Sequence, residues 1–532
     1  MLQLWNRLRV LVLQSTALTL FLTAFVSYAY FYQGAGPNEA ARLDSIRAFL
    51  DTGDLIIDRF VFNSADVIMK DGHYYSGKAP GTFFLGLVPF AFTERVLKGF
   101  GVEEDFRYHW ACYSANLFSI SFLGALSVVL IFWLGLRFGV GGAHSAAVAL
   151  IVGFGTMLFP FSTLFFSHVA SAFCFIFAFY QLFVWQQHPG QDVWRLWTAG
   201  GTLGFSITLE YPSVIGVALI GLYALLIFAR DRKTFLTQTA RLGLGVFLGI
   251  APLFLYNLVA FKQPLYVTYE AYAQASNETF AAHKQGVLGI RVPLWDWSAW
   301  PQFFANLTEL TYRPLRGLFF NNPVLILIFV GFALMLRKKS KPKNLRWPES
   351  VLAGLIFLSY LSFNACFGDS VTYWGGGASF GPRYLIVTLP FLALPLFACM
   401  RVRWARVALV CLALLSTFIC LMATAVEPRT PYFPSNPLFG FYIPRFMNGI
   451  LSINTSGVFS NTPINGGSVA FNLGRLIDLP VQFQLAPLYL FWLWMMWHLD
   501  RLTQKPARSP GFLFSVGILV MIAAWLPFAA LL

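Results

Sequence analysis

Pro37-Asn38-Glu39-Ala40-Ala41-Arg42, then Thr52-Gly53-Asp54, then Asp71-Gly72-His73-Tyr74-Tyr75-Ser76-Gly77-Lys78-Ala79-Pro80-Gly81: these residues form a polar, acid-containing stretch between apolar runs. Carboxylates and a lysine at a membrane surface cost desolvation free energy, so they are usually retained for a reason. Their place directly behind the first apolar run points to chemistry at a bilayer face.

The 532-residue chain around this stretch is 57% hydrophobic and 11% charged, against about 25% charged in an ordinary soluble domain. Its apolar residues come in runs of roughly 20, each long enough to cross about 30 Å of hydrocarbon. The chain therefore reads as an all-α polytopic membrane protein. Continuous rather than alternating runs argue against a closed β-barrel. The net charge of +14 does not signal nucleic acid. The basic residues fall in short clusters between apolar runs, such as Arg230-Asp231-Arg232-Lys233 and Arg337-Lys338-Lys339-Ser340-Lys341-Pro342-Lys343, as cytoplasmic loops do. No basic domain is large enough to form a nucleic-acid groove. Cys112, Cys174, Cys366, Cys399, Cys411 and Cys420 are scattered, lie mostly in apolar runs, and read as small hydrophobes.

Expected spans in the second half lie at about 242–261, 316–336, 348–367, 384–400, 405–424, 484–499 and 511–530. Basic clusters at 230–241, 337–346, 401–406 and 501–508 then share the cytoplasmic side. The loops 262–315, 368–383 and 425–483 fall on the opposite side, together with 33–81, and are expected to form a cap. In the first half, candidate spans lie at about 10–32, 110–135, 143–162 and 165–187. The first follows Arg7 and Arg9 and reads as a retained span rather than a cleaved signal. Residues 197–229 are interrupted by Glu210-Tyr211-Pro212, and proline removes a helical hydrogen bond. Two threadings of about 13 spans follow. In the preferred one, 197–229 splits into two helices that turn near Glu210, and 82–100 is re-entrant or surface-lying, with Arg137 inside and His168 outside. In the other, 82–98 crosses, 197–229 is one long helix, and Arg137 and His168 exchange sides. The chain divides into a module at 1–261, carrying the loop 33–81, and a module at 262–532.

Several groups can carry chemistry. Glu39, close behind the first span, can serve as a general base if a hydroxyl comes within reach; Asp44 is a second candidate. Both also fit an amphipathic surface helix with Leu43, Ile46 and Leu50 as its apolar stripe. Lys78 sits in a Gly/Pro-fixed turn, where it acts as a point charge for phosphate or simply snorkels. Tyr373-Trp374-Gly375-Gly376-Gly377-Ala378-Ser379-Phe380-Gly381-Pro382-Arg383-Tyr384 combines glycines that let an anion approach the backbone with a guanidinium suited to phosphate. It lacks the ending of a Walker loop. Arg42 is a third candidate for phosphate binding beside Lys78 and Arg383, and Tyr75, His168, Glu210, Trp374 and Tyr384 complete the pocket candidates. In the first threading Glu210 comes within reach of His168. His73, His168 and His283 show no metal-ligand spacing.

Taken together, these motifs resemble the bacterial GT-C membrane glycosyltransferases, in the broad group of protein O-mannosyltransferases and the lipid A aminoarabinose transferase. That family shows, after its first span, an acidic pair, an Arg, a Gly-Asp and a motif like Asn-Gly-x-x-Tyr-x-x-Lys-Pro-Pro. This chain has Glu39, Arg42, Gly53-Asp54 and Asp71-Gly72-His73-Tyr74-Tyr75-Ser76-Gly77-Lys78-Ala79-Pro80 in the same order. It departs in having Asn38 and Ala40 beside Glu39, and Ala79 and Gly81 where the family has proline.

The resemblance implies a GT-C-like bundle in a bacterial inner membrane, with its site facing the periplasm or exterior. It implies inverting transfer of a sugar from a polyprenyl-phosphate donor, with Glu39 as base and Lys78 near the donor phosphate. Arg383 is a further phosphate ligand on physical grounds. No cofactor is required; the missing paired acid weakens the case for a divalent metal and leaves open whether Asp44 shares the base role. The acceptor (protein, lipid or polysaccharide) is open. The rival expectations are a transporter or flippase of a lipid-linked sugar, and a polysaccharide ligase.

Overall fold

The computed structural model describes residues 2–64, 66–268, 292–337, 339–366, 376–431, 435–454 and 469–503. The expected span 511–530 and the basic cluster beyond Thr503 lie outside these residues. Among those described, five helices are long and apolar enough to cross a membrane: Leu11–Ala29, Glu104–Arg137, Ser167–Trp185, Phe235–Phe261 and Arg403–Val426. Shorter apolar helices join them at Gly142–Phe154, Ser213–Phe228, Pro323–Met335 and Arg383–Cys399.

In chain order the first half comprises α1 (Leu2–Ala29), α2 (Pro37–Thr52), α3 (Gly81–Gly99), α4 (Glu104–Asn116), α5 (Phe122–Arg137), α6 (Gly142–Phe154), α7 (Leu158–Ser162), α8 (Ser167–Trp185), α9 (Trp194–Leu209), α10 (Ser213–Phe228) and α11 (Phe235–Phe261). A π-turn at Leu117–Ser121 joins α4 to α5 without a break. It lets Asn116 and Ser121 reach the Ser162 carbonyl at 3.4 and 2.7 Å. The described sheet is limited to two antiparallel pairs. β1 (Phe31–Tyr32) pairs with β4 (Phe471–Asn472), and β2 (Val67–Lys70) pairs with β3 (His73–Ser76).

The bundle has two chemically different ends. At one, Asn344 Nδ2 donates to the Arg137 carbonyl at 2.9 Å and Arg137 to Gln187 at 3.1 Å. Arg406 lies 3.2 Å from His144 at this same end. At the other end, Arg42 meets Glu210 at 3.2 Å, and Thr268 donates to the Gly77 carbonyl at 3.0 Å. Arg137 and His168 thus occupy opposite ends, as both threadings require. The stretch 197–229 is two helices, with Glu210 in extended backbone between them.

α3 packs against α4 and α2, not along α5, so it stays at the Glu210 end. Val88, Phe92, Val96 and Phe100 form an exposed row along it. Four-residue spacing puts them on one face, as in a helix lying in the interface. The re-entrant or surface-lying reading of 82–100 matches this placement. The first and last parts of the chain also interlock. Besides the β1–β4 pair, Trp492 Nε1 donates to Ser27 Oγ at 2.7 Å, and Tyr30 donates to the Gln484 carbonyl at 2.5 Å.

The α9–α11 contact fixes the depth of Glu210. Gly200 and Gly204 on α9 face Gly245 and Gly249 on α11, a four-residue spacing of small residues on both helices. Such spacing allows membrane helices to touch backbone to backbone. A Cβ at Gly204 would collide with the Val246 carbonyl, and one at Gly249 with the Gly201 carbonyl. Gly204→Val or Gly249→Val should lower the unfolding midpoint in detergent, by an overpacking cost of about 1–3 kcal/mol or more. Gly243→Ala, with nothing within 4 Å of its added Cβ, is the control and should leave the midpoint unchanged or higher. Wild-type stability for the valine variants would disprove the backbone contact.

Candidate active site

α2 builds the site because its side chains point three ways. It is buried from Asn38 through Ile46. Pro37 starts it, Glu39 Oε2 accepts from the Gly36 N–H at 3.1 Å, and Gly53, at φ 78°, ends it. At about 100° per residue, Asn38 and Arg42 share a face, Glu39 is rotated from them, and Asp44 lies on the far side.

On the first face, Arg42 Nη1 donates to Asn38 Oδ1. Its Nη2 donates to Ser167 Oγ at 2.9 Å and to Glu210 Oε1 at 3.2 Å. Ser167 Oγ also donates to Glu210, and His168 Nδ1 lies 3.8 Å from the same carboxylate. The expected His168–Glu210 pair is present, at the long end of ion-pair range. Glu210 can reach this cluster because α9 stops at Leu209.

The hairpin supplies the other half. Asp71 and Gly72 both have positive φ, 52° and 82°, as a tight two-residue Asp-Gly hairpin turn requires. Its register puts Val67 opposite Ser76, and the Gly77 N–H donates to the Asp66 carbonyl at 2.9 Å. Asp66 and Lys78 therefore emerge side by side, and Lys78 Nζ meets Asp66 Oδ1 at 2.9 Å. Asn38 Nδ2 holds the other oxygen, Oδ2, at 3.2 Å. Thr268 anchors the hairpin's exit through the Gly77 carbonyl and lies 3.3 Å from the Tyr211 hydroxyl.

Arg383 completes the cluster from the second half of the chain. Its guanidinium carbon lies 5.0 Å from the Phe166 ring centre and 5.5 Å from that of Tyr384. Its Nε is buried without a hydrogen-bond partner. Gly376, at φ 73°, makes room for it; a Cβ there would lie 2.8 Å from Arg383 Cγ. The glycines expected to cradle an anion thus also seat a cation. Arg383–Thr388 is a 3₁₀ turn rather than the first turn of an α-helix. Tyr384 packs edge-on against His168 with ring centres 5.3 Å apart. Tyr75 faces Phe261 at 5.1 Å. Trp374 lies outside the described residues.

Electrostatically the groups of the cluster act on one another. Burial pushes Asp66 up, but Lys78 in contact, then Arg383 and Arg42, outweigh it and hold the carboxyl below its ordinary value. Burial lowers the Lys78 ammonium; Asp66 opposes this, and Arg42 and Arg383 add to it. Among the described residues, three cations (Arg42, Lys78, Arg383) face two carboxylates (Asp66, Glu210), an excess of one positive charge. Among the described residues, no group of three His, Cys, Asp or Glu side chains is placed to hold a metal ion.

Glu39 lies apart from this cluster, in a buried ion triad. Arg429 Nη1 donates to Glu39 Oε1 at 3.1 Å, and Arg429 Nε to Glu427 Oε1 at 2.9 Å. The same guanidinium donates to the carbonyls of Gln33 and Gly34 at 2.5 and 3.2 Å. All three charged side chains are at most 3% exposed. Asp44 is fully buried against Tyr108 at 3.3 Å and Asn63 at 3.3 Å. Burial raises its pKa to about 7, partly offset by Asn63, Arg47 and Tyr108.

Sequence reading missed Asp66, Ser167, Glu427 and Arg429. The Asp71-Gly72 turn carried the signal for Asp66, since counting outward along the hairpin ladder sets it opposite Gly77, the neighbour of Lys78. Glu427 and Arg429 sit just past an apolar run, the same signal that singled out Glu39.

No protein-family model and no curated protein matches the chain. Among solved structures, it is similar to ArnT from Cupriavidus metallidurans bound to undecaprenyl phosphate, at a TM-score of 0.49 and 16% identity, covering 98% of this chain and 75% of that one. It is also similar to the arabinosyltransferase EmbB from Mycobacterium smegmatis, at a TM-score of 0.47 and 14% identity, covering 98% and 40%. A third is the archaeal oligosaccharyltransferase AglB from Archaeoglobus fulgidus, in complex with an inhibitory peptide and a dolichol-phosphate, at 0.42 and 12%, covering 80% and 57%. At such scores the chemistry of this site is read from its own side chains.

Two measurements check these electrostatics. Arg429→Met takes the guanidinium away from the buried carboxylates of Glu39 and Glu427, a cost of about 3–5 kcal/mol, and should abolish a folded, monodisperse preparation. Adding Glu39→Gln and Glu427→Gln to that variant should restore one. For Asp44, the folded chain keeps a proton that the unfolded chain releases, so stability falls as pH rises from 3.8 through about 7. Asp44→Asn removes that dependence. Its unfolding midpoint should gain on the wild type across this window, and parallel curves would contradict the raised pKa.

Proposed function

We propose that this membrane protein transfers a sugar from a polyprenyl-phosphate donor to an acceptor hydroxyl, by inverting displacement at the anomeric carbon. One observation carries the reading: Arg42, Lys78 and Arg383 converge at one end of a membrane helix bundle, where cations outnumber carboxylates by one among the described residues. A lipid phosphate entering from the bilayer matches that site in charge and in depth. Lys78 suits the phosphate as a mobile point charge, and Arg383 as a planar fork. Held there, both stabilise the charge that grows on the departing phosphate. The aromatic walls of Phe166 and Tyr384 keep water away, which strengthens that stabilisation. The run from Glu39 to Pro80 supports the same reading independently, through its family resemblance.

The proton of the acceptor hydroxyl goes to a carboxylate of the 37–81 segment. Glu39 holds the position that the motif order indicates; in the present arrangement both its oxygens are engaged, by Arg429 and Gly36. The site lies at the end opposite Arg137, Asn344 and Arg406. The positive-inside rule supports reading that end as the extracytoplasmic one.

Purified protein in lipid, given a polyprenyl-phosphate sugar and a membrane extract as acceptor source, should release free polyprenyl phosphate. A flippase releases none. Lys78→Ala and Arg383→Ala should each slow release about 100-fold or more, while eluting as the wild type does. Wild-type rates in both would remove the phosphate-binding role and, with it, this function.

A further inference from the structure

We propose that Asp66 is a donor-gated base: it neutralises Lys78 until the donor phosphate takes its place, and then accepts the acceptor's proton. This rests on the glycosyltransferase reading above and adds a residue and an order of events to it.

The geometry separates Asp66 from the other carboxylates nearby. Glu39 is tied to Arg429 and Gly36, and Glu210 to Arg42 and Ser167. Asp44 is on the far face of α2 with Tyr108 and Asn63. Asp66 is different in two ways. Its side chain is 20% exposed, against 2% for Glu39 and 9% for Glu210. Its Oδ1 is held by Lys78, a group the donor phosphate would claim.

The backbone allows this exchange at little cost. The Gly77-to-Asp66 hydrogen bond and the β2–β3 ladder fix both main chains. Only the side chains need to trade partners. Asn38 keeps its grip on Oδ2, so the carboxylate stays oriented after Lys78 leaves Oδ1.

The charges also balance. A sugar phosphodiester brings one negative charge, which offsets the excess positive charge of the donor-free cluster. In the transfer, the acceptor oxygen bonds to the anomeric carbon as the bond from that carbon to the phosphate oxygen breaks. The electron pair stays on the phosphate, which gains a negative charge. The acceptor proton goes to Asp66, which loses one. Total charge within the site is unchanged, which matters where little water is present to screen it. Without donor, Lys78 occupies Asp66.

The test uses full-length protein in lipid nanodiscs, with unreactive polyprenyl phosphate as the binding probe. Asp66→Asn removes the competitor for Lys78, so the probe should bind at least 5-fold tighter, while turnover falls 100-fold or more. Asp66→Glu keeps a carboxylate and should recover part of that turnover. It should also retain a pH–rate profile with an acidic limb, which Asp66→Asn should lack. A purely structural Asp66 would instead lose probe binding and turnover together in Asp66→Asn, with no altered pH profile. That result, or wild-type turnover in Asp66→Asn, would overturn the proposal. Lys78→Ala separates the two levels of inference. If it abolishes probe binding but Asp66→Asn turns over normally, the gate alone fails. If the wild type binds no polyprenyl phosphate, the donor reading itself fails.

Discussion

A guanidinium buried away from water needs carboxylates around it, and Arg429 takes two. Glu427 lies two residues before it, while Glu39 comes from the opposite end of the chain. The cost of leaving any one of the three alone in a low-dielectric interior makes the arrangement nearly all-or-none. It pins α2, and through α2 it sets where Asn38 and Arg42 point. Those two side chains reach Asp66 on the hairpin and Glu210 at the end of α9. The ion triad therefore positions a site from which Glu39 itself is turned away, toward Arg429 and Gly36.

Two charge systems of different character result. The Glu39–Arg429–Glu427 group carries one positive and two negative charges and is sealed by backbone carbonyls. The Asp66–Lys78–Arg42–Arg383–Glu210 group has the opposite imbalance and retains some exposure at Asp66 and Lys78. A sealed group suits permanence. A partly open one, with cations in excess among the described residues, suits exchange with a ligand. One helix carries both because neighbouring residues on it point about 100° apart.

Much of the architecture was legible in the sequence. Runs of roughly 20 apolar residues announce membrane helices, and Glu210-Tyr211-Pro212 announces the break between α9 and α10. Arg42, Lys78, Arg383, His168 and Glu210, read from separate motifs, do meet in space. What could not be read was which carboxylate meets which cation. Spacing along α2 shows that Glu39, Arg42 and Asp44 diverge, but not that Arg429 waits on one side and Tyr108 on another. Those partners come from distant segments, and a single sequence holds no record of the pairing. Asp66 was hidden differently: its signal was local, in the Asp-Gly turn, but that turn was read as part of a motif rather than as a hairpin. The glycines of α9 and α11 were likewise visible as letters, yet their meaning depends on the helices being neighbours.

The exposed row along α3 has a consequence for how the molecule sits in its surroundings. Val88, Phe92, Val96 and Phe100 present a greasy ledge on α3, the helix that begins three residues after Lys78. Hydrocarbon that wets this ledge lies along a helix whose first turn is joined directly to the charged cluster. Under the proposed function, a long isoprenoid tail would then stay in oil along α3 while its headgroup sits among the cations.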